Sequence, residues 1–563
     1  MTDRPRHFLA WMPYLWSSVL FPGKQTASIT ARLPSLLLLI VLPALLLYPT
    51  LSFRLLDPDE GRYAQIPREM LARGDWIVPH LQGQPYLDKP PLLYWLVMVS
   101  YSIFGVAEAP ARLVPALAVH ATILVVYLLG RRSLGERSAF WGALFLSVAP
   151  GFTGMGRILL MDGLLTFWIT LALFATYEAV RGERFLSRWW YLAALAAGLG
   201  VLTKGPIPLL LIVPPIWLVR RLSYSPLSAS ERGVGGERSA LRQPKTSPAG
   251  PVSETERGSK TKIGFKHLAG FLAVIAAVNL PWYTAVFMRE PIFLKYFFWE
   301  HNILRFIKPF DHLQPVWYYM PIVLAGLLPG TLLLYAYARY LMSGDTEKAE
   351  SRTPAQGFFL LTGLWCVFFF SMSGCKLPTY ILPAFPCLCL VLGDFVARTK
   401  WSNALVTRSG VGGMAALLAF GFYVAIPWYA ELRSPMGIPE IASKLHDAKE
   451  EPMYCFPRNV DSVAFYTDRD DLKSCRTKVS QELVEELILR DRSVVLFTHR
   501  HSLETFKQVL PPQLKVTEST AVKHGGTGAK ILDDLVGDGP WGLCHVAVIE
   551  RVPQKRALRP RRD

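Results

Sequence analysis

The chain has 563 residues, of which 51% are hydrophobic, and 60 Lys and Arg against 43 Asp and Glu give it a formal net charge of +17. Soluble domains are less apolar than this, and several apolar runs approach the roughly 20 residues needed to cross a bilayer. Composition therefore excludes an ordinary soluble protein and predicts an α-helical polytopic membrane protein. Basic cytoplasmic loops and anionic lipid headgroups explain the positive charge, so the lipid bilayer is a predicted partner and nucleic acid is not.

An acidic stretch, residues 52–91, follows the first apolar run, and from Asp57 it reads DPDEGRYAQIPREMLARGDWIVPHLQGQPYLDKPP. Asp57 is predicted to cap a helix that ends at Gly74. The carboxylates of Asp59 and Glu60 then fall in the first turn, where the helix dipole favours negative charge. A capped surface helix and an active-site loop at the membrane face are both compatible with this pattern.

The apolar runs predict about 11–13 transmembrane helices together with juxtamembrane helices. The spans assigned individually are residues 34–51, 113–130, 139–153, 163–180, 189–203, 207–219, 268–288, 316–338, 357–372, 379–396 and 405–429. Residues 91–104 are short for a crossing and are predicted to form an interfacial or re-entrant helix. If each assigned span crosses the membrane once and residues 91–104 do not cross, the basic loops all fall on one side. The positive-inside rule makes that side cytoplasmic and places residues 52–91 on the outer face.

The membrane part is predicted to span residues 1–430 and the tail residues 431–563. An insert at 220–266, rich in Ser, Gly and Pro, is predicted to be a disordered cytoplasmic loop, and residues 289–315 an outer loop. Helix-like and β-like stretches alternate in the tail, which predicts a small α/β domain on the outer side. The stretches are helices at 438–449 and 479–491 and strands at Val494–Phe497 and His545–Ile549.

The same order of crossings places a set of acidic and basic side chains on the outer face. They are Asp59, Glu60, Arg62, Tyr63, Asp88, Lys89, Arg157, Asp162, Lys204, Glu300, His301, Arg305 and Lys376. Charges beside a membrane are costly unless they face water, a partner or a substrate. Cations can hold a phosphate and neutralise the charge that develops as it leaves, and a carboxylate can accept a proton from an attacking hydroxyl. Such a face suits a lipid phosphate ester.

Structural explanations compete with this interpretation. Arg157 and Asp162 can pair with each other, and Lys204 and Lys376 can be snorkelling lysines at turns. A transporter of lipid-linked sugars is a second class, but it predicts inverted repeats and midspan charges, and neither is clear in the sequence. A structural assembly protein, with the tail as its working part, is a third class.

A divalent metal is the one cofactor that the sequence brings into question, and no organic cofactor is predicted. Asp88, His301 and Glu300 combine carboxylate and imidazole groups, which are ligands of such metals. Their spacing does not demand a metal. The seven cysteines show no zinc-site spacing either.

Motifs along the membrane part resemble the bacterial aminoarabinose transferases, which are polyprenyl-phosphate-sugar-dependent glycosyltransferases of the GT-C fold related to protein O-mannosyltransferases. The motifs are DPDEGRYAQIPREMLARGDW, YLDKPPLLYW, RILLMDGLLTF, LTKGP, NLPWY, FFWEHNILRF and GCKLPTYILP. The resemblance runs through nearly all of the membrane part, but it does not extend to the insert or the tail. Asp88 is a departure, because the aminoarabinose enzymes often have Glu at that position.

The resemblance implies an inverting enzyme on the outer, periplasmic face of the bacterial inner membrane. It would take a sugar from undecaprenyl phosphate and pass it to lipid A; a protein hydroxyl is the alternative acceptor. The resemblance and the outer-face cluster together predict a site with catalytic Asp59, Asp162 and Glu60, donor-phosphate-binding Lys89, Arg62, Tyr63, Arg305, Lys376 and Lys204, and metal-binding Asp88, His301 and Glu300.

Overall fold

The computed structural model describes residues 29–182, 184–223, 263–307, 312–344, 352–475, 480–498, 502–521 and 545–552. Most of the insert predicted at 220–266 lies outside these residues, and its predicted disorder with it. The described chain is largely helical and carries a small sheet near its C-terminal end, as predicted.

Each of the eleven assigned spans contains helix. The helices are Ile29–Leu47, Glu108–Leu134, Glu136–Ser147 with Pro150–Thr153 and Gly154–Gly156, Met161–Val180, Ser187–Lys204, Ile207–Ser223, Phe265–Arg289, Val316–Tyr318 with Tyr319–Gly326, Gly330–Leu333 with Leu334–Met342, Pro354–Met372, Pro378–Ile381 with Ala384–Arg398, Lys400–Asn403, and Leu405–Phe420 with Gly421–Ala425 and Ile426–Arg433. By length and apolarity, five spans among the described residues are able to cross a membrane, or up to seven if each bent pair counts as one. The number of crossings stays a prediction.

Two spans that the sequence analysis assigned as single helices are bent. The predicted span 139–153 bends by 63° between Ser147 and Pro150, and the span 316–338 bends by 101° between Gly326 and Gly330. A proline lies at each break: Pro150 begins the helix after the first, and Pro329 lies within the second. Proline has no N–H to continue a helical hydrogen-bond ladder.

The predicted outer loop 289–315 is also largely helical in its described part. It contains the helices Ile292–Leu294 and Arg305–Ile307, with a π-helix, Lys295–Leu304, between them. The π-helix contains both residues of the Glu300–His301 pair, so the predicted loop is a structured element beside the site.

The first loop is built on the helix Asp59–Arg73, which ends at Gly74 as predicted, with a left-handed φ of 65° that favours glycine. The capping role predicted for Asp57 is wrong, because no side chain caps this helix. The Asp57 carboxylate is instead occupied by Ser462 of the tail, whose backbone N–H donates to it at 2.9 Å.

A short hairpin and a short helix complete the first loop. Strands β1 (His80–Leu81) and β2 (Gln84–Pro85) pair antiparallel. Glu69 of the first-loop helix accepts hydrogen bonds from the turn residues Gln82 (2.7 Å) and Gly83 (3.1 Å), so the hairpin is fixed to that helix. The helix Leu92–Phe104 has 13 residues, which confirms the short apolar helix predicted there.

The helices Glu136–Ser147 and Ala384–Arg398 pack at backbone contact. A Cβ added to Gly393 would lie 2.1 Å from the backbone nitrogen of Gly142, so this crossing needs glycine. Small residues allow such close approach between membrane helices. The contact fixes Ala384–Arg398, which runs from the candidate site to the opposite end of the bundle.

The tail folds into a small α/β domain, here called the C-terminal domain. Its five-stranded sheet has the order β4-β3-β5-β7-β6, and β3 pairs parallel with β4 and β5. The strands are β3 Met453–Phe456, β4 Lys473–Ser474, β5 Arg492–Phe497, β6 Leu514–Ala521 and β7 His545–Arg551. The helices are Pro435–Gly437, Pro439–Asp447, Asp461–Tyr466, Ser480–Ile488 and Ser502–Gln508. Both predicted helices and both predicted strands are confirmed.

Candidate active site

A small cavity of about 80 Å³, here called the cationic cavity, lies where the first loop, the ends of several spans and the π-helix region meet. Three cations and an acid line it: Lys89, Lys204, Arg305 and Asp162. The other lining residues include His301, Asn302, Ser373, Cys375 and Tyr380. The structure thus brings together residues that are more than 200 positions apart in the chain.

Lys204 and Asp162 form the polar centre of this cavity. Lys204 ends the helix Ser187–Lys204, Asp162 begins the helix Met161–Val180, and the lysine Nζ donates to Asp162 Oδ1 at 2.7 Å. Lys204 Nζ also lies 4.7 Å from the centroid of the Tyr380 ring. The carboxylate and the aromatic face hold the ammonium group against the cavity wall.

The alternative pairing of Arg157 with Asp162 is wrong. Arg157 is buried, and its guanidinium donates to the carbonyl oxygens of Leu47, Thr50 and Phe422, each at 3.0 Å. Arg157 therefore ties the end of the first membrane helix to the last one, a structural role outside the cationic cavity.

Lys89 reaches the cavity from the end of the first loop and is half-buried. Burial and the nearby charge of Lys204 lower the pKa of Lys89 to about 8, although Asp88 works in the opposite direction. The positive charges of crowded, partly desolvated ammonium groups are stabilised when an anion binds between them. The cavity is therefore arranged to receive negative charge.

Asp88 lies beside the cavity, held by the π-helix. Tyr296 OH donates to Asp88 Oδ1 at 2.9 Å, and His301 Nε2 lies 3.3 Å from Asp88 Oδ2. Burial alone would raise the pKa of Asp88, but the His301 hydrogen bond and the charges of His301 and Lys89 hold it well below its usual range.

The structure brings together two of the three predicted metal ligands, Asp88 and His301, without Glu300. No group of three or more His, Cys, Asp or Glu side chains in the described part of the chain is placed to hold a metal. Lys89 also adds a positive charge next to Asp88. Among the described residues, Asp88 and His301 alone are too few to hold a divalent metal, and no step below uses a metal.

Arg62 connects the first turn of the first-loop helix with the hairpin. Its Nη1 lies 3.6 Å from Asp59 Oδ1 and 3.4 Å from the Tyr86 hydroxyl. Asp59 remains half exposed, with 53% of its side chain accessible. Tyr63, one residue on, is buried, and its pKa is raised well above its usual value by burial and by the charges of Tyr86 and Asp59.

Glu60 differs from Asp59 in burial and in hydrogen bonding. It is 1% exposed and receives two hydrogen bonds from Arg112, at 2.7 and 2.8 Å, with further ones from the backbone N–H groups of Leu159 (2.7 Å) and Leu56 (3.0 Å). A carboxylate with four donors has no room for a substrate. The geometry gives Glu60 a positioning role at the start of the helix.

Lys376 is buried and does not line the cationic cavity. Its Nζ donates to the carbonyl oxygens of Gln314, at 2.9 Å, and Ser373. Its backbone N–H donates to His312 O at 3.0 Å. These bonds fix the loop beside the cavity, so the geometry favours a structural role over the phosphate-binding role predicted for this lysine.

The C-terminal domain supplies a residue that sequence reasoning missed. Asp461 begins the helix Asp461–Tyr466, is fully buried, and has Oδ2 at 3.8 Å from Arg62 Nε. Gln82 of the hairpin donates to Asp461 Oδ1 at 2.5 Å. Gly61 permits this close approach, since a Cβ there would lie 2.4 Å from the Ser462 nitrogen. No motif marked the tail, because the contact exists only in the folded chain.

A wide cleft of about 880 Å³ lies beside this contact, between the hairpin and the C-terminal domain. Tyr86 and Asp88 line it on one side, and Asn459, Asp471 and Lys473 on the other. Because Asp88 also contacts His301 of the cationic cavity, the cleft and the cavity adjoin.

Fold and site together define a polytopic membrane protein of the GT-C type, with a cationic cavity at one end of its helix bundle. The crystal structure of ArnT from Cupriavidus metallidurans bound to undecaprenyl phosphate is similar, with a TM-score of 0.64 at 19% identity over 92% of this chain and 98% of that one. The profile of the family described as dolichyl-phosphate-mannose-protein mannosyltransferase matches residues 88–223.

Curated proteins named undecaprenyl phosphate-α-4-amino-4-deoxy-L-arabinose arabinosyl transferase are similar in sequence. Those of Edwardsiella ictaluri and Yersinia enterocolitica are 33% and 34% identical over 66% and 68% of this chain, and that of Pseudomonas aeruginosa PAO1 is 33% identical over 71%. The matches span 62%, 62% and 66% of these relatives' own lengths. The predicted resemblance is confirmed: the chain is a homologue of the bacterial aminoarabinose transferases.

Proposed function

We propose that this protein transfers 4-amino-4-deoxy-L-arabinose from undecaprenyl phosphate to lipid A, at the periplasmic face of the bacterial inner membrane. The observation that carries the proposal is the convergence of Lys89, Lys204 and Arg305 on one cavity with Asp162. Three cations at a helix-bundle end suit the phosphodiester of a lipid-linked sugar. The named relatives and the motif of the first loop support this donor.

In the proposed reaction, the donor phosphate binds Lys89, Lys204 and Arg305. The bond between the anomeric carbon and the phosphate oxygen breaks as the acceptor oxygen attacks from the opposite side, which inverts the anomeric centre. The cations stabilise the charge that returns to the departing phosphate. Asp162, already bonded to Lys204, keeps that lysine in place during the reaction.

Asp59 is the most exposed acid of the first loop, with 53% of its side chain accessible, and we assign it the acceptor side. A lipid A phosphate is already anionic, so Asp59 would position this acceptor and its sugar without removing a proton. If the acceptor were a protein hydroxyl, Asp59 would have to accept its proton. Asp59→Asn therefore separates the two acceptors: substantial activity should survive with a phosphate acceptor but not with a hydroxyl.

The orientation is inferred from charge. The ends of the helices opposite the cationic cavity carry Arg131, Arg132, Arg181, Arg398 and Lys400. The positive-inside rule favours the cytoplasm for that end. The cationic cavity and the C-terminal domain then face the periplasm, where the cleft between hairpin and domain offers space for an acceptor headgroup.

Purified protein in lipid nanodiscs tests the proposal directly. Incubated with the undecaprenyl-phosphate-linked sugar and lipid A, wild-type protein should form glycosylated lipid A, detected by mass spectrometry. Lys89→Ala and Asp59→Ala should abolish the product while folding, judged by size-exclusion elution, is unchanged. Full activity in both variants would remove the proposed site.

Protein O-glycosylation is the second candidate, favoured by the match of residues 88–223 to the mannosyltransferase family. The same nanodisc assay with Ser- and Thr-containing peptides distinguishes it. Product on peptides, with none on lipid A, would show that the acceptor is a protein, and the proposed donor site would stand.

A further inference from the structure

A second cavity, of about 900 Å³, lies at the opposite end of the helix bundle, and we call it the rear cavity. It is formed by the last turns of Leu334–Met342 and Ala384–Arg398 and by the turn Lys400–Asn403. Tyr380, just before Ala384–Arg398, lines the cationic cavity. A 15-residue helix is about 22 Å long, so the two cavities lie at opposite ends of the bundle.

The rear cavity is basic. Arg339, Arg398 and Lys400 line it, and none of the described residues that line it is acidic. Asp394, one turn back on the same helix, binds Arg398 at 2.8 Å and offsets its charge. Arg339 and Lys400 are exposed and form no ion pair within the described residues. Two positive charges therefore face the cavity uncompensated by these residues.

Two other arginines near the rear cavity, Arg352 and Arg137, are bound to protein groups. Arg352 donates to the carbonyl oxygens of Tyr340 (2.8 Å) and Ser343 (2.6 Å), and Arg137 donates to the Ser402 hydroxyl at 2.6 Å. These bonds fix the cavity wall. The cations that hold the wall and the cations that face the cavity are thus separate residues.

The rear cavity also has apolar residues in its lining and at its edge. Phe395 and Trp401 line it together with Met342, which is 77% exposed. Leu405, at the start of the next span, is 78% exposed. A free phosphate would gain nothing from this surface, whereas the glycerol and acyl groups of a phospholipid would cover it.

From this arrangement we infer that the rear cavity binds the phosphodiester headgroup of an anionic membrane phospholipid between Arg339 and Lys400, with its acyl chains against Met342 and Trp401. Basic pockets between membrane helices on the cytoplasmic side bind such headgroups. The site is independent of the proposed sugar transfer, since it lies at the other end of the helix bundle and, among the described residues, shares no lining residue with the cationic cavity.

Native mass spectrometry of the delipidated full-length protein, titrated with cardiolipin, phosphatidylglycerol or phosphatidylethanolamine, tests the inference. Cardiolipin and phosphatidylglycerol should bind more tightly than phosphatidylethanolamine. Arg339→Gln and Lys400→Gln should each weaken cardiolipin binding about fivefold, the effect of one cation near an anionic lipid. Lys400→Arg, which keeps the charge, should retain binding and shows that the fold tolerates a change at this position.

The matched control is Arg188→Gln, which removes a cation from the same end of the bundle but outside the rear cavity. It should leave cardiolipin binding unchanged. An equal loss in Arg188→Gln would mean diffuse attraction to the whole surface and would overturn the site. Displacement of cardiolipin by millimolar inorganic phosphate would overturn the phospholipid as its ligand, and so would equal binding of phosphatidylethanolamine.

Discussion

Arg62 of the first loop and Asp461 of the C-terminal domain approach to 3.8 Å between Nε and Oδ2, and the Asp461 side chain is fully buried. Arg62 also contacts Asp59 and Tyr86. The C-terminal domain therefore sets the position of a predicted phosphate-binding arginine and, through it, of Asp59. This contact gives the tail a part in the site.

We expect Asp461→Asn to lower sugar transfer about tenfold or more, because a displaced Arg62 misplaces Asp59 and misaligned groups lose rate steeply. The assay is initial transfer rate in nanodiscs, with kcat and KM measured separately. Asp468→Asn is the control, since Asp468 pairs with Arg68 in the same interface but is largely exposed. Equal losses in both variants would show that the interface merely stabilises the fold.

Lys89 predicts a pH dependence of donor binding. Its pKa of about 8 means that the free protein loses this positive charge as pH rises through 8. The phosphodiester keeps its charge over this range, so donor affinity should fall above about pH 8, by at most tenfold per unit. Lys89→Arg should bind the donor with a flat profile from about pH 6 to pH 10. A wild-type profile that is equally flat would exclude Lys89 as the titrating ligand.

Substitution of Glu60 should lower stability, whereas substitution of Asp59 should lower activity. Glu60→Gln leaves the buried Arg112 guanidinium without its countercharge, and breaking such a pair costs about 3–5 kcal/mol of stability. Asp59→Ala removes a half-exposed carboxylate and should cost activity without unfolding. Thermal unfolding in detergent measures the first and transfer rate the second. A Glu60→Gln protein with unchanged unfolding temperature and no activity would restore Glu60 to the catalytic group.

Asp57 predicts that docking of the C-terminal domain depends on pH. Burial raises the pKa of Asp57 to about 7, although its hydrogen bonds to Ser462 oppose the shift. Between its ordinary value and about 7, the docked state keeps a proton that the undocked state releases. Docking is therefore strongest at low pH and weakens as pH rises through 7.

Hydrogen exchange of residues 461–466 measures this docking. Protection should fall as pH rises from about 4 to about 7, after correction for intrinsic exchange, and Asp57→Asn should remove the dependence. Unchanged pH dependence in that variant would assign it to another group.

The sequence predicted the elements better than their contacts. Apolar runs located a helix in every assigned span, and short β-like runs located strands β5 and β7 in the tail. The bends at Pro150 and Pro329 were missed because an apolar run shows length, whereas direction depends on how the broken ends pack.

Some predicted site residues reach the cavity, and others do not. Lys89, Asp162, Lys204 and Arg305 converge as predicted, because each lies at the end of a helix or loop on one face. Charge at such an end and a family motif were the signals, and both equally described Lys376, which instead binds backbone carbonyl oxygens. Whether a charged side chain reaches the cavity is decided by partners that are distant in sequence.

The most direct test of the central claim is the mass spectrum of lipid A from a bacterial strain that lacks this gene. The account predicts that a sugar adduct disappears and returns with wild-type protein and with Lys444→Ala, a lysine in an exposed ion pair of the C-terminal domain. Lys89→Ala, at equal abundance in the membrane, should not restore it. An unchanged lipid A spectrum in the deletion strain, or full restoration by Lys89→Ala, would contradict the account.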